Sequence, residues 1–284
     1  MPVSLPQHPL DEPLRLTWAL RALRKLHFPR KLGICERLFG KTLSASGVKW
    51  VETSNGLVWK LDLADASHRW CVYGDYEGAA QMNSIRRWLS GGGDVIDSGA
   101  NIGQMTLYFA LAVGCTVHAF EPTHGARSWL ASCIDRNALR NVRIVGAGLS
   151  GHAASVPIQL DGARSTMHLD WYAGKNLKTE QIEVIRLDDY AAEQGIERIR
   201  FWKLDTEGHE LEGLLGASRL LASRRIDVIL VEVRQANLAP IRDYLLRFGY
   251  KLYRQQGSRI TLFDGQVLAG HANLIARPGA PMQS

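Results

Sequence analysis

The sequence predicts an α/β fold built on a doubly wound, mostly parallel sheet with helices on both faces. Three observations carry this. Strand and helix signals alternate from Asp94 onward, which implies right-handed βαβ crossovers. A short apolar strand, Val95–Ser98, opens through a glycine-rich turn into a helix. The late β-α-β-β order adds an antiparallel hairpin to the parallel sheet. With 284 residues, 46% hydrophobic and 22% charged, the chain has ample apolar material for a core, which excludes disorder as its main state.

Residues 1–13 hold four prolines and form a loose lead-in. From Leu14 to His27, Leu16, Ala19, Leu20, Leu23 and Leu26 fall on one helical face, with Arg21, Arg24 and Lys25 opposite. A second short helix spans Lys31–Leu38. Val48–Glu52 and Leu57–Leu63, joined at Asn55-Gly56, read as a hairpin, and Trp70–Tyr73 as a further strand. The resulting organisation is a basic helical segment (1–41), a hairpin extension (42–76) and the main domain (77–284). Within that domain a helix at 77–89 is followed by strand Val95–Ser98, helix Ile102–Ala112, strand Thr116–Phe120, helix Gly125–Ala138 and strand Val142–Ala147. The alternation pauses at 153–187, where Val156–Leu160, Ser165–Leu169 and Gln181–Arg186 suggest an antiparallel insert. It resumes with strand Phe201–Leu204, helix Glu210–Ala222, strand Val228–Val233 and helix Pro240–Phe248. Lys251–Arg254 and Asn273–Ala276 are the terminal strands. The run Ser98–Phe120 lacks charged residues, but Gly99, Asn101, Gly103, Gln104 and Gly114 break it into loop, helix and strand, so it is not a membrane span.

The chemistry concentrates at three strand ends. The turn after the first strand reads Asp97-Ser98-Gly99-Ala100-Asn101-Ile102-Gly103, at the sheet edge where doubly wound folds bind nucleotide-like ligands. Gly99 and Gly103 are expected to let a ligand approach the backbone. Asn101 and Gln104 replace glycines that a dinucleotide fingerprint requires, which disfavours a nicotinamide-dependent oxidoreductase. An uncharged adenosine with an amino-acid tail fits the turn better. The second strand ends in Phe120-Glu121-Pro122, placing an acid where ribose hydroxyls are accepted. The third cluster, Lys203-Leu204-Asp205-Thr206-Glu207-Gly208-His209-Glu210, sets carboxylates and a histidine where strand meets helix. Asp205, Glu207 and His209 are the candidate bases. Helix capping by Thr206, with Glu207 and Glu210 complementing the dipole, is the structural alternative.

From about Tyr73 to Glu232 the sequence resembles the FkbM family of S-adenosylmethionine-dependent methyltransferases. The resemblance rests on Gly74-Asp75-Tyr76-Glu77, Val95 to Gly103, Phe120-Glu121-Pro122, Asn141-Val142 leading to Gly148-Leu149-Ser150, Ser165-Thr166, Leu187-Asp188 and the 203–210 cluster. It implies a class I methyltransferase fold, a Rossmann-like seven-stranded sheet of order 3-2-1-4-5-7-6. It also implies O-methylation of a hydroxyl on a sugar or other small metabolite, with a glycan or glycolipid precursor included. S-adenosylmethionine would be held by Glu77, Asp97, Gly99, Ala100, Asn101, Gly103, Glu121, Pro122 and Gly148, with Asp205 beside the methyl group. Of the family's helix motif at Asp135-Arg136-Asn137, only Asn137 matches. Removing a proton from an aliphatic hydroxyl calls for a positioned base. The insert offers His168, Trp171 and Tyr172 as substrate-facing residues, or as loop anchors. A non-catalytic scaffold of the same fold is the other alternative. No metal ligand set is expected.

Charge distribution bears on partners. Residues 1–41 carry net +5 and the other 243 only +1, so a body-wide nucleic-acid surface is not expected. The Asn/Asp-Pro-Pro-aromatic motif of nucleic-acid methyltransferases is also missing. The scattered Cys35, Cys71, Cys115 and Cys133 suit a reducing compartment, and no cleavable signal stands at the start, so a cytoplasmic location is expected. The basic segment has three roles open to it: a cap packed on the sheet, an arm of a homodimer, or a peripheral contact of residues 14–41 with anionic lipid at the inner membrane face.

Overall fold

The computed structural model describes residues 12–26, 28, 30–52, 56–74, 85–112, 114–161, 165–167, 177–256, 259–265, 268 and 270–279. The chain divides into two compact units, Met1–Ala79 with Ser132–Ala138, and Ala80–Ala131 with Leu139–Ser284. The helical and hairpin segments read as separate from sequence thus share one unit.

In the first unit, α1 (Trp18–Leu23) is much shorter than the periodicity suggests, because Thr17 caps it through Leu20 N. Its faces also differ from expectation: Leu16 and Leu20 are buried, but Leu26 is exposed and Arg24 is buried, donating to the Glu52 carbonyl at 2.9 Å. Helix α2 (Lys31–Ser44) buries Lys31, whose ammonium donates to the Arg24 carbonyl. Strands β1 (Val48–Glu52) and β2 (Val58–Asp62) form the expected antiparallel hairpin, with Val51, Trp59 and Leu61 buried. Trp70–Tyr73 is not a strand. It lies in helix α3 (Ala66–Tyr73), bounded by an Asp65 N-cap that accepts from Ser67 N at 2.7 Å and by Gly74 at φ +72°. These two caps outweigh the aromatic and β-branched preference of the last residues. Asn137 belongs to this unit and brackets Val58, accepting from its N–H at 2.8 Å and donating to its carbonyl at 2.7 Å.

The second unit holds an eight-stranded sheet of order β12-β11-β13-β10-β9-β3-β4-β5. Its strands are β3 (Gly93–Ser98), β4 (Cys115–Phe120), β5 (Val142–Val145), β9 (Ile199–Leu204), β10 (Ile229–Arg234), β11 (Tyr250–Gln256), β12 (Arg259–Leu262) and β13 (His271–Pro278). Five strands are parallel, and β13, β11 and β12 add antiparallel pairs. Read from β5 to β11, this is the class I methyltransferase order 3-2-1-4-5-7-6. The expected count of seven is corrected to eight by the short edge strand β12. Successive residues of the central strands face opposite layers, Val95 and Phe201 to one core and Ile96 and Trp202 to the other. The helices include α4 (Thr106–Ala110), shorter than the predicted Ile102–Ala112, and α5 (His124–Arg136), which runs on into the first unit.

The 153–187 insert forms a separate three-stranded sheet of β6 (Gly148–Leu149), β8 (Thr179–Ile185) and β7 (Ala154–Gln159), in that order. Only β7 and β8 pair antiparallel; β6 joins in parallel and was not anticipated. The predicted strand at Ser165–Leu169 reduces, among the described residues, to one bridge of Thr166 to Gln159.

Candidate active site

Strand β3 is where the sheet order reverses, so the crevice beyond β3, β4, β9 and β10 is the binding edge of the fold. The glycine-rich turn is tied to β4 by Gly99 N and Ala100 N, both donating to the Phe120 carbonyl. Its glycines serve packing within the fold. A Cβ on Gly99, at φ +74°, would lie 2.0 Å from the Asp205 carbonyl oxygen. A Cβ on Gly103 would lie 2.6 Å from side-chain carbons of both Leu107 and Leu130. Asn101 takes φ +49°, which turns its N–H onto Glu121 Oε2 at 2.9 Å.

Glu121 is buried at the tip of β4, and its other oxygen accepts from Thr123 N and Oγ1. Three of the about four acceptor sites of a carboxylate are thus filled by protein donors, leaving one on Oε2. Burial pushes this carboxyl above its ordinary range, opposed by the Thr123 and Asn101 donors. Pro122 follows, and Gly148, at the start of β6, is close enough that a Cβ there would sit 3.8 Å from the Pro122 ring.

Asp97 is wholly buried, so as folded it offers no surface to a ligand. Its Oδ2 accepts from Thr106 Oγ1 at 2.5 Å, and its Oδ1 lies 3.7 Å from Lys203 Nζ. Lys203 also reaches Asp205 Oδ2 at 3.3 Å and the Gly99 carbonyl at 3.3 Å. One ammonium therefore joins the turn, the buried Asp97 and the more open Asp205. Burial raises the Asp97 carboxyl, with Lys203 opposing.

Beyond Asp205 the loop carries Glu207 at φ +51°, held by Arg234 Nη2 at 2.6 Å. Burial and the neighbouring Asp205 raise the Glu207 carboxyl. Glu210 turns out to be structural: its Oε1 accepts from Thr206 N and Gly208 N, and its Oε2 from Asn237 Nδ2. His209 places Nε2 3.2 Å from Ser150 Oγ. Glu77, His168, Trp171 and Tyr172 lie outside the described residues.

Sequence reasoning did not single out Lys203, Glu232 or Arg234 as site residues. Glu232, near the end of β10, brings its carboxylate to within 4.8 Å of those of Asp205 and Glu210. Burial, then Asp205 and Glu207, push it up to about 8. The three carboxylates have the oxygen chemistry of a hard-cation site, but both Glu210 oxygens are already engaged by N–H donors. A lysine within the otherwise apolar Phe-Trp-Lys-Leu strand was the available signal for Lys203; Glu232 and Arg234 become visible only once β10 lies beside β9.

The family model described as Methyltransferase FkbM domain matches residues 97–252. The chain belongs to the FkbM methyltransferase family. Its matched region covers the turn, Glu121, the 203–210 loop and Glu232. No curated protein matches the chain. Among solved structures, the precorrin-6Y C5,15-methyltransferase of Geobacter metallireducens is 14% identical, with 72% of this chain and 91% of that chain covered and a TM-score of 0.41. M. jannaschii TYW2 in complex with AdoMet is 14% identical, with 81% and 84% covered and a TM-score of 0.40. Both likenesses are loose, and the fold of this FkbM protein rests on its own strand order.

Proposed function

We propose that this FkbM protein is an S-adenosylmethionine-dependent O-methyltransferase acting on a hydroxyl of a sugar or other small hydroxylated metabolite, with glycan and glycolipid precursors in the same class. The observation that carries the reading is the crowding of acids at one sheet edge. Asp205, Glu207 and Glu232 stand together there, and among the described residues their ion pairs come from Lys203 and Arg234. Such a surplus of carboxylates favours a cationic ligand, and the sulfonium and α-ammonium of this cofactor are cations.

The residues present fit the cofactor. Glu121 keeps one acceptor site for a ribose hydroxyl beside the glycine-rich turn, where Asn101 N donates to its Oε2. When bound, S-adenosylmethionine supplies an electrophilic methyl on sulfur. Asp205, fixed by Lys203, accepts the proton of the acceptor hydroxyl. Burial and the neighbouring Asp205 and Glu207 push the Glu232 carboxyl up to about 8. Glu207, clamped by Arg234, completes the polar wall, and His209 braces the loop against Ser150. The insert adjoins this loop through Thr166 Oγ1, which donates to the Glu207 carbonyl at 2.8 Å, and that contact supports its reading as a substrate wall.

Transfer of a labelled methyl group from the cofactor to a panel of nucleotide sugars and lipid-linked glycans tests this reading. Labelling that falls about 10²–10⁴-fold in Asp205→Asn, well beyond any loss of cofactor affinity, is the expected result. An Asp205→Asn variant with full activity removes Asp205 as the base.

A further inference from the structure

The first unit carries a surface that the methyltransferase site does not use. Six of the nine large exposed apolar side chains among the described residues lie in it, although it comprises under a third of the chain. Trp18 on α1 is 81% exposed, and on α2 Ile34 (43%) and Leu38 (61%) stand one turn apart. Exposed cations interleave with them: Arg15, Arg21 and Lys25 around Trp18, and Arg30, Arg37 and Lys41 around the α2 pair. Arg24 and Lys31 are turned inward and make backbone hydrogen bonds, and Arg21 donates its Nε to the Leu16 carbonyl at 3.1 Å. Glu36, the acid of α2, is engaged by Arg69 and the Tyr73 hydroxyl. The outer faces therefore combine apolar side chains, an aromatic ring and unneutralised positive charge.

Single exposed apolar residues need no explanation, but this combination does. A surface for nucleic acid alone has no use for Trp18 and Leu38. The interface of an anionic bilayer supplies both an acyl boundary for Trp, Ile and Leu and head groups for Arg and Lys. We propose that the outer faces of α1 and α2 dock the protein peripherally on an anionic lipid bilayer. Among the described residues no helix is long and apolar enough to cross a membrane, so the contact lies on the surface. The net +5 of residues 1–41, set against +1 for the rest, confines the electrostatic attraction to this end.

Flotation of the full chain with vesicles tests the docking. Binding is expected to phosphatidylcholine–phosphatidylglycerol vesicles, not to pure phosphatidylcholine, and to be released in about 0.5 M NaCl by screening. Lys25→Gln with Arg37→Gln should weaken partition about 25-fold, fivefold per charge. Trp18→Ser with Leu38→Ser should weaken it about 100-fold, about tenfold per side chain. Both double variants should keep the wild-type melting temperature and affinity for S-adenosylhomocysteine, which separates this result from any failure of the catalytic reading. Equal behaviour of wild type and variants, or binding indifferent to lipid charge and salt, overturns the proposal. So does a wild-type dimer in ultracentrifugation that Trp18→Ser with Leu38→Ser dissolves in the absence of vesicle binding, because the occupant is then a second copy.

Discussion

Replacing Gly99 by alanine separates two roles for the glycine-rich turn. At φ +74°, an alanine takes a left-handed conformation costing about 1–2 kcal/mol. Its Cβ would also stand 2.0 Å from the Asp205 carbonyl oxygen, so the ends of β3 and β9 must separate by about an ångström. Overpacking of this kind costs about 1–3 kcal/mol, bringing the total to about 2–5 kcal/mol. With a urea slope of about 2–3 kcal/mol per molar, the unfolding midpoint should fall by about 1–2 M. S-adenosylhomocysteine affinity, measured by calorimetry on the folded fraction, should fall as well, because Lys203 donates to the Gly99 carbonyl and holds Asp205. An unchanged midpoint with lost cofactor binding would refute the packing account and restore ligand approach as the reason for the glycine.

Other consequences follow from the same geometry. Asn137→Ala removes both hydrogen bonds to Val58 and should cost about 1–3 kcal/mol, read as faster hydrogen exchange at the Val58 amide. Lys203→Met leaves Asp97 buried with only Thr106 for support and should destabilise by about 3–5 kcal/mol at neutral pH. Acid should partly restore that variant, because protonating the carboxyl removes the buried charge. Glu232 has a folded-state pKa of about 8 against an ordinary 4.5, so the native state binds the extra proton between those values. Its contribution is fully present below about 4.5 and lost as pH rises through about 8, so stability falls across that window. In Glu232→Gln that component should be absent from melting temperatures recorded between the two values.

The parts of this protein that were legible in sequence are those whose chemistry is local. Strand Val95–Ser98, its turn and the acid at the next strand tip declare themselves through apolar runs punctuated by glycine and Glu121. The hairpin at Val48–Asp62 likewise followed from the Asn55-Gly56 pair between its strands, and Gly56 takes φ +82°. Helix α3 was misread because Trp70–Tyr73 favours a strand in isolation, while the deciding signals, Asp65 and Gly74, lie at its ends. The extent of α1 was misjudged for a related reason: Thr17 sets its start, and the buried backbone partners of Arg24 override the polar-face assignment. The structural alternative offered for Glu210 takes a specific form, since its carboxylate anchors the loop through Thr206, Gly208 and Asn237. Glu232 and Arg234 were beyond reach, since β10 comes to β9 across a crossover that sequence spacing does not measure.

The central claim is that the sheet edge around Glu121 and the carboxylate cluster holds S-adenosylmethionine. Calorimetric titration of the full chain with S-adenosylhomocysteine and, separately, with NADH tests it most directly. Saturable binding of S-adenosylhomocysteine, weakened about tenfold in Glu121→Gln by loss of a charge-assisted hydrogen bond, is predicted. Tight NADH binding with no response to S-adenosylhomocysteine would contradict it.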